Sequence, residues 1–398
     1  MEQSKKSPLV LALVAAVGSP AVMAVEPASM DVGNLNLTPI VTLSTGYTDN
    51  LFDDNENEKG TWVTKVRPSF SLKGESEKLT VGVRGSIDQG IYHSSSNDNY
   101  TDKSAATFAD VQFDSRKKLS LLAEYLKKHE ARSDSGSGSS LTTDQATKPS
   151  RYTLKNLGAT FSYGTSGSTG QIVLETRYQD KDYDNFLALN RSKNRVTIGA
   201  NATFFYRVSP KTRFLVEGRY TDIDYDLSSS TLDSDSKQLF LGVEWEATAK
   251  TTGTAKVGYA NKDFDSSSRD DFSGSNWEVG LNWELRSYSV FQLTSTHATE
   301  ESGGSADYID TTGISLAWLH EWSDRVATNM RYDFSNQDYV GSDNGREDDV
   351  NKVSFGVDYD LRRWLTIGVD VSHKDFNSNL SNTDYKSNDI FLTVQGSL

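Results

Sequence analysis

The residues able to do chemistry in this sequence are few, and their spacing does not suit catalysis. The chain of 398 residues has no Cys and five His, namely His93, His129, His297, His320 and His373. No two His have metal-ligand spacing, and no Ser occurs in the Gly-x-Ser-x-Gly pattern of a nucleophile elbow. The missing Cys excludes disulfides, thiolate zinc sites and Cys nucleophiles. We therefore predict no enzyme, no catalytic residue, no metal site and no cofactor.

Runs of acidic residues are the next candidates for a functional site, because carboxylates can bind calcium. The run 53–57 is the densest, but it lacks the twelve-residue spacing of an EF-hand. We interpret such runs as solvated loops whose negative charge disfavours the entry of anions. The chain has 41 Lys and Arg against 55 Asp and Glu, a net charge of −14. That balance argues against nucleic-acid binding, which requires a basic surface.

The remaining charged residues alternate with apolar ones. In 171–178, Ile172 and Leu174 fall on one face of an extended chain, and Glu175 and Arg177 fall on the other. A period of two predicts a β-strand with one apolar and one polar face. If the polar faces line a wet channel, the pore-lining candidates are Lys65, Arg67, Arg84, Glu175, Arg177, Arg213, Glu217, Arg219, Glu244, Glu246, Glu278, Arg331, Asp333, Asp358 and Asp370. Most would be solvated or paired across strands, and the Arg177–Arg219 and Glu217–Glu244 neighbourhoods are the candidates for a solute filter.

The elements that position these charges are predicted to be strands throughout. Eighteen alternating segments are centred near residues 41, 67, 83, 108, 123, 158, 175, 200, 217, 242, 256, 281, 293, 316, 330, 356, 369 and 392. Short breaks such as 74–78 alternate with long Asp- and Ser-rich breaks such as 224–236 and 336–350. This indicates an all-β fold, a transmembrane antiparallel up-and-down β-barrel of about 18 strands, with 16 as the alternative. Short periplasmic turns and long extracellular loops would join the strands.

The positions of the aromatic residues indicate that the apolar faces of the strands contact membrane lipid. Every Trp lies near a predicted strand end, and we assign all of them to aromatic girdles: Trp62, Trp245, Trp277, Trp283, Trp318, Trp322 and Trp364. Amphipathic rings prefer the headgroup level of a bilayer. The mean hydropathy of −0.56 is compatible with this interpretation, because a barrel gives half of each strand to water.

An aromatic–acidic repeat marks where strands leave for long loops. Tyr178 and Asp182-Tyr183 recur as Tyr220 and Asp224-Tyr225, and then as Tyr259 and Asp263-Phe264, at a spacing of about one hairpin. Weaker copies end in Asp338-Tyr339 and Asp375-Phe376. Pro68 is the exception within a strand, where it predicts either a bulge or a lost ladder hydrogen bond that faces the lumen.

The chain ends complete the predicted organisation. Lys5 and Lys6, an apolar run and a small-residue site predict a signal peptide over 1–24, a short periplasmic segment over 25–34 and the barrel over 35–398. The predicted location is the bacterial outer membrane, among lipid and lipopolysaccharide. The last strand ends on the apolar Leu398, and it resembles the C-terminal signal read by the barrel-insertion machinery.

The first two strands resemble a known family, the putative β-barrel porin 2 family. The matching residues are Gly46-Tyr47-Thr48-Asp49-Asn50-Leu51-Phe52, followed by Trp62-x3-Val66-x-Pro68-x3-Leu72. The family includes outer-membrane barrels of exopolysaccharide and capsule biosynthesis clusters. The resemblance implies an outer-membrane barrel that passes a secreted polysaccharide and works with periplasmic export and polymerising proteins. It brings no catalytic residues.

The leading hypothesis is an export channel for an acidic or neutral exopolysaccharide of a biofilm matrix or capsule. The alternative in the same class is a general or nutrient-uptake porin. A non-transporting adhesion barrel and an outer-membrane hydrolase are the alternatives from other classes.

Overall fold

The computed structural model describes residues 29–132, 147–248, 250–302 and 306–397, without the side chains of 247 and 248. The predicted signal peptide, residues 133–146 of the loop 130–151, and the terminal Leu398 lie outside the described residues.

The described residues form one antiparallel sheet of nineteen strands. The strands are β1 Met30–Val32, β2 Leu35–Thr48, β3 Thr61–Glu75, β4 Leu79–Tyr92, β5 Tyr100–Gln112, β6 Lys117–Glu130, β7 Ser150–Tyr163, β8 Gly170–Tyr183, β9 Arg195–Ser209, β10 Thr212–Tyr225, β11 Ser234–Thr248, β12 Thr251–Phe264, β13 Phe272–Arg286, β14 Ser289–Glu301, β15 Tyr308–Ser323, β16 Val326–Val340, β17 Glu347–Arg362, β18 Leu365–Ser378 and β19 Tyr385–Ser397.

The sheet closes on itself. Strand β19 pairs with β2 from Asp389↔Thr48 to Ser397↔Ile40, and each strand from β2 to β19 also pairs with its chain neighbour. The short β1 pairs only with the start of β2, so it is an addition to the barrel wall. The part of the chain described by the structure thus has eighteen barrel strands, as predicted, and not sixteen. Each predicted segment centre lies inside one of them.

The connections sort by length as predicted. One rim carries turns such as 76–78, 210–211 and 363–364, and the other carries loops such as 49–60 and 184–194. The loops are shorter than predicted, because the breaks at 224–236 and 336–350 shrink to 226–233 and 341–346. The alternation of apolar residues stops at the membrane edge, but ladder hydrogen bonds need no apolar side chain. The strands therefore continue beyond it.

Helical structure is confined to the loops of the described ranges. It consists of one helical turn, Leu187–Asn190, and the 3-10 turns Ser96–Asp98 and Arg191–Lys193. None of the helices that the structure describes has the length and apolar character needed to cross a membrane.

The outer face of the barrel is apolar and uncovered. Leu239, Leu241 and Val257 have 57%, 58% and 65% of their surface exposed, and they belong to a band of exposed aliphatic residues around the wall. Water would make such a band unfavourable by about 25 cal/mol per Å². The band is therefore the lipid-facing surface.

Aromatic girdles border this band. Near the loop rim, Trp62 packs edge-on against Tyr47 at 5.7 Å. Near the turn rim, Trp283, Phe291 and Trp318 form a row with centroid separations of 5.5 and 6.1 Å. The predicted girdle Trp in the strands share the face of the aliphatic band, and Trp364 lies in the turn 363–364.

Pro68 interrupts one ladder without shifting it. Strands β3 and β4 pair at Val66↔Gln89 and again at Ser69↔Ser86, in the same register, but the two positions between are unpaired. Of the two predicted outcomes, the structure has the lost ladder bond and not the bulge. Arg67 spans the gap by donating two hydrogen bonds to Asp88, at 3.0 and 2.5 Å.

Candidate functional site

The inner face of the barrel is the candidate site. Strand alternation places all fifteen predicted charged residues on the face opposite the lipid-facing band. They fall into three groups: a closed ion-pair network, isolated pairs, and charges without an ion pair. These groups differ in what they can offer a solute.

The closed network lies on the wall made by β10 to β13. Glu217 and Glu278 each contact both Arg219 and Lys256, so that four side chains form a cycle. Arg219 contacts Glu278 at 2.6 Å, and Lys256 contacts Glu278 at 2.5 Å. The ring of Phe240, which is 1% exposed, lies beneath both cations. Because these four charges already pair with one another, they are not available to bind a solute.

Lys256 is the member of this network that the sequence prediction missed. Lys256 stands between the apolar Ala255 and Val257, so it had the same alternating pattern as the residues predicted to line the pore. Only the strand register, which places Lys256 directly opposite Glu278, makes it the partner of that carboxylate. The predicted Glu217–Glu244 neighbourhood is divided, because Glu244 instead pairs with Arg213 at 2.5 Å.

Isolated pairs occupy other parts of the inner face. Arg67 pairs with Asp88, and Arg84 pairs with Glu124 at 2.6 Å. The two arginine side chains remain 56% and 55% exposed, so water and solutes can reach them. Arg331 pairs with Asp333 on its own strand at 2.7 Å.

The third group has no ion pair among the residues that the structure describes. Its members are Lys65, Arg177, Glu246, Asp358 and Asp370, together with Glu175, which accepts one hydrogen bond from Asn201 at 3.5 Å. Arg177 is not joined to Arg219, which is saturated by the closed network. The predicted Arg177–Arg219 filter is therefore not a contacting pair.

The aromatic–acidic repeat places rings on both faces of the wall. Its first aromatic faces lipid, where Tyr178, Tyr220 and Tyr259 are 37%, 41% and 55% exposed. Its second aromatic lies five residues later in the strand, and this odd spacing turns it inward. We call these inward rings the inner aromatic collar: Tyr183, Tyr225, Phe264, Tyr339 and Phe376. Four of the five are at most 6% exposed.

Cations lie over most rings of the collar. Lys181 lies 4.8 Å from the centre of Tyr183, Lys262 lies 5.1 Å from that of Phe264, and Arg346 lies 4.3 Å from that of Tyr339. Phe376 instead stacks on Tyr385 at 4.8 Å. The collar therefore places aromatic rings, and the cations that cover most of them, together at the loop end of the channel.

The loops close over part of this end. Arg132 donates two hydrogen bonds of 2.6 Å to Asp98 and lies over the Phe52 ring at 4.4 Å, joining three loops. On the opposite side, Arg269 contacts Asp307 at 2.8 Å. The interpretation of the acidic loops as simply solvated is therefore wrong for Asp98 and Asp307, which are buried in ion pairs.

Asp53, from the acidic run, also turns inward. Its carboxylate lies 3.4 Å from the ammonium of Lys374 on β18, and only 17% of its side chain is exposed. Burial raises the pKa of the Asp53 carboxyl above its usual range, although Lys374 opposes that rise. The docked loop thus disfavours the charged form of this residue.

The His residues do not assemble into a site within the described part of the chain, and no three His, Asp or Glu there group to hold a metal. His297 and His320 lie on the outer face, where His297 stacks on Trp277 at 4.5 Å and His320 lies 4.3 Å from Trp322. His129 stacks on Tyr100 at 3.7 Å and contacts Asp102 at 2.9 Å.

The family model of the putative β-barrel porin 2 family matches residues 23–397. The chain belongs to that family. No curated protein sequence matches the chain. Family and fold together place the protein in the outer membrane of a Gram-negative bacterium, as a porin-like barrel.

Solved outer-membrane barrels share the fold at low sequence identity. The outer membrane protein OpdK of Pseudomonas aeruginosa has a TM-score of 0.51 and 12% identity, over 91% of this chain and 99% of that one. OccK3 (OpdO) of the same organism has 0.50 and 13%, over 91% and 96%. The FrpB iron transporter of Neisseria meningitidis (F5-1 variant) has 0.50 and 10%, over 91% and 82%.

Proposed function

We propose that this porin-like barrel is a channel without catalytic activity that exports an exopolysaccharide across the outer membrane. The observation that carries the proposal is the inner aromatic collar. A sugar ring has an apolar C–H face, which packs on aromatic rings, and hydroxyl groups, which hydrogen-bond to charged and polar side chains. The collar places both kinds of group on one rim of the channel, where a sugar ring would stack by displacing the cations that cover the buried rings.

The proposal extends to partners at the two rims. Periplasmic export and polymerising proteins would deliver the polymer to the turn rim, where β2 begins and β19 ends. The apolar outward residues of β19, such as Ile390 and Leu392, would serve the barrel-insertion machinery. Lipid and lipopolysaccharide would cover the aliphatic band and the girdles.

A matched set of Tyr variants tests the collar. The first two copies of the repeat each supply an inner Tyr and an outer Tyr. We expect Tyr183→Leu combined with Tyr225→Leu to reduce polysaccharide secretion several-fold, because stacking on a sugar is lost. The control pair, Tyr178→Leu with Tyr220→Leu, changes only the lipid-facing rings and should secrete normally at equal barrel abundance.

The deletion strain is the decisive background for this experiment. We expect it to lose matrix polysaccharide and to recover it with the wild-type gene. If the deletion strain secretes normal amounts of every extracellular polysaccharide, the export proposal is wrong.

A nutrient-uptake porin is the second candidate, and the inward-turned loops favour it. The contacts Arg132–Asp98 and Arg269–Asp307 tie neighbouring loops together, and loops held over the channel would suit a small solute better than a polymer. Liposome swelling separates the two candidates. An uptake porin should admit monosaccharides in a size-dependent way, and its deletion should slow growth on a limiting nutrient without changing the matrix.

A further inference from the structure

A cavity beneath the loops combines charge and aromatic surface in a way that the transport proposal does not use. It is bounded by the continuous wall that runs from β17 through β19 and β2 to β4, and by His129, Ala131, Arg132 and Pro149 from the end of β6 and the loop after it. The residues that carry the argument are Lys65, Lys352, Tyr92, Phe391, Lys374 and Asp389. The roof comes from the loop 49–60, through Asn50, Leu51 and Asp53.

The family-like motif at 46–52 builds this cavity. Gly46 lies against the Phe391 ring so closely that a Cβ atom would collide with it. Asn50, which is 2% exposed, donates hydrogen bonds to the carbonyl oxygens of Asp54 and Lys386, at 2.8 and 2.9 Å, and so fixes the roof. The motif residues thus shape a cavity as well as a strand end.

The charges of the cavity are unbalanced. Lys374 contacts Asp53, and Arg132 contacts Asp98, so those cations are matched. Within the described residues, neither Lys65 nor Lys352 has a carboxylate within 4 Å or a side-chain hydrogen bond; Lys65 lies over the Phe391 ring at 4.7 Å. Asp389 is the remaining carboxylate of the lining, and it accepts a hydrogen bond from Ser372 at 3.2 Å.

Two ammonium groups without an ion pair share the one remaining carboxylate, Asp389, so the partly closed cavity has an excess positive charge that favours an anion. Removing a charge from water is costly unless an opposite charge compensates for it. The Phe391 and Tyr92 rings supply flat apolar surface, and the buried hydroxyl groups of Thr48 and Ser387 supply polar contacts. A sugar ring that carries a carboxylate has all three complementary features.

We propose that this cavity binds the carboxylate of an acidic saccharide, such as a uronic acid unit of a polymer, with Lys65 and Lys352 as its charge partners. The inference rests on the proposed function and names the substrate class. The acidic outer loops fit a ligand that reaches the cavity from the periplasm, because they repel anions from outside.

Binding to the purified full-length barrel in detergent tests this proposal without requiring an open channel. The probes are pentagalacturonate, maltopentaose as the neutral saccharide of equal length, and benzoate as an aromatic carboxylate without hydroxyl groups. By calorimetry, we expect pentagalacturonate to bind, and to bind more weakly as KCl is raised. The other two probes should bind at least about tenfold more weakly.

Lysine variants locate the site. Lys65→Gln and Lys352→Gln should each weaken pentagalacturonate binding about tenfold, and the double variant should abolish it. Lys103→Gln is the matched control, since Lys103 lies exposed on the outer face and loses the same charge. A gel mobility that shifts on boiling confirms that each variant is a folded barrel.

Unchanged affinity in the folded double variant would overturn the assignment of these lysines. If maltopentaose binds as tightly as pentagalacturonate, the site does not require a carboxylate. If benzoate binds as tightly, the site does not require a saccharide. Failure of the export proposal appears elsewhere, as normal secretion in the deletion strain. The two proposals therefore fail on different measurements.

Discussion

The charged residues of the inner face are of two kinds: those held in ion pairs with other side chains, and those without an ion pair, which are available to a solute. Glu278 belongs to the first kind, because it contacts both Arg219 and Lys256. Glu246 belongs to the second, since it has no ion pair in the described ranges. The two carboxylates look alike in sequence. Their difference arises from strand register, which a single sequence does not reveal.

Replacing a held carboxylate should therefore cost stability. We expect Glu278→Gln to lower the free energy of unfolding by about 2 kcal/mol, because it leaves Arg219 and Lys256 with one carboxylate between them. Urea unfolding in lipid vesicles, followed by Trp fluorescence, measures this change. Glu246→Gln is the control and should change stability by less than about 0.5 kcal/mol. Equal losses in both variants would contradict the network.

Asp53 gives a pH-dependent prediction. Its pKa is raised by burial, so the docked loop favours the protonated form. The sign follows from linkage: docking is strongest below the usual Asp pKa and weakens as pH rises through the raised value. Proteolysis of the loop 49–60 in the intact barrel should therefore be slower near the usual Asp pKa, at about pH 4, than at pH 7.

Asp53→Asn separates this effect from other titrations. The amide cannot ionise, so the pH dependence of loop cleavage should largely disappear, and cleavage at pH 7 should be slow. Asp54→Asn, in the same loop, should keep the wild-type pH dependence. A variant Asp53→Asn that retains the full pH effect would mean that another group controls docking.

Among the elements, β3 shows what sequence can and cannot specify. Alternation predicted the strand, and Pro68 predicted a defect within it. The sequence left open whether the chain would bulge or lose a bond. The structure keeps the register because both flanking segments already have their apolar residues on the lipid side, and a one-residue slip would reverse them.

Restoring the donor at this position should close the gap between β3 and β4. We expect Pro68→Val to slow amide exchange at Ile87 and its neighbours and to raise the free energy of unfolding by about 1 kcal/mol. Pro39→Val is the control, because the β2–β19 ladder starts only at Ile40. Hydrogen exchange followed by mass spectrometry reads both. No change at β4 in Pro68→Val would contradict the lost-bond interpretation.

For the molecule as a whole, closure between β19 and β2 is the main constraint. The strand count and the sorting of turns from loops could be predicted, because both follow from local periodicity. The inward-turned loops could not, because Arg132–Asp98 and Asp53–Lys374 join segments that are distant in sequence. The aromatic residues of the collar could be recognised in the repeat. That they point inward could not be predicted, because it depends on the strands extending as far as these residues.

Closure predicts unequal effects of deleting the two terminal strands. Removing 385–398 leaves two unpaired edges in lipid, so we expect no boiling-sensitive gel mobility and degradation in cells. Removing 29–34 takes away only β1, and the barrel should still form and insert. Immunoblots of outer-membrane fractions with and without boiling compare the two deletions. A folded barrel without β19 would contradict the strand order.

The aromatic–acidic repeat has a consequence for how such a wall can change size over evolution. One hairpin carries its own lipid anchor, its own inward ring and its own exit into a loop. A duplicated hairpin would therefore enter the wall already oriented, widening the channel by two strands and adding one ring to the collar. Duplication of a hairpin would then increase the pore width and the number of collar rings together, and each copy would keep its channel-facing and lipid-facing sides.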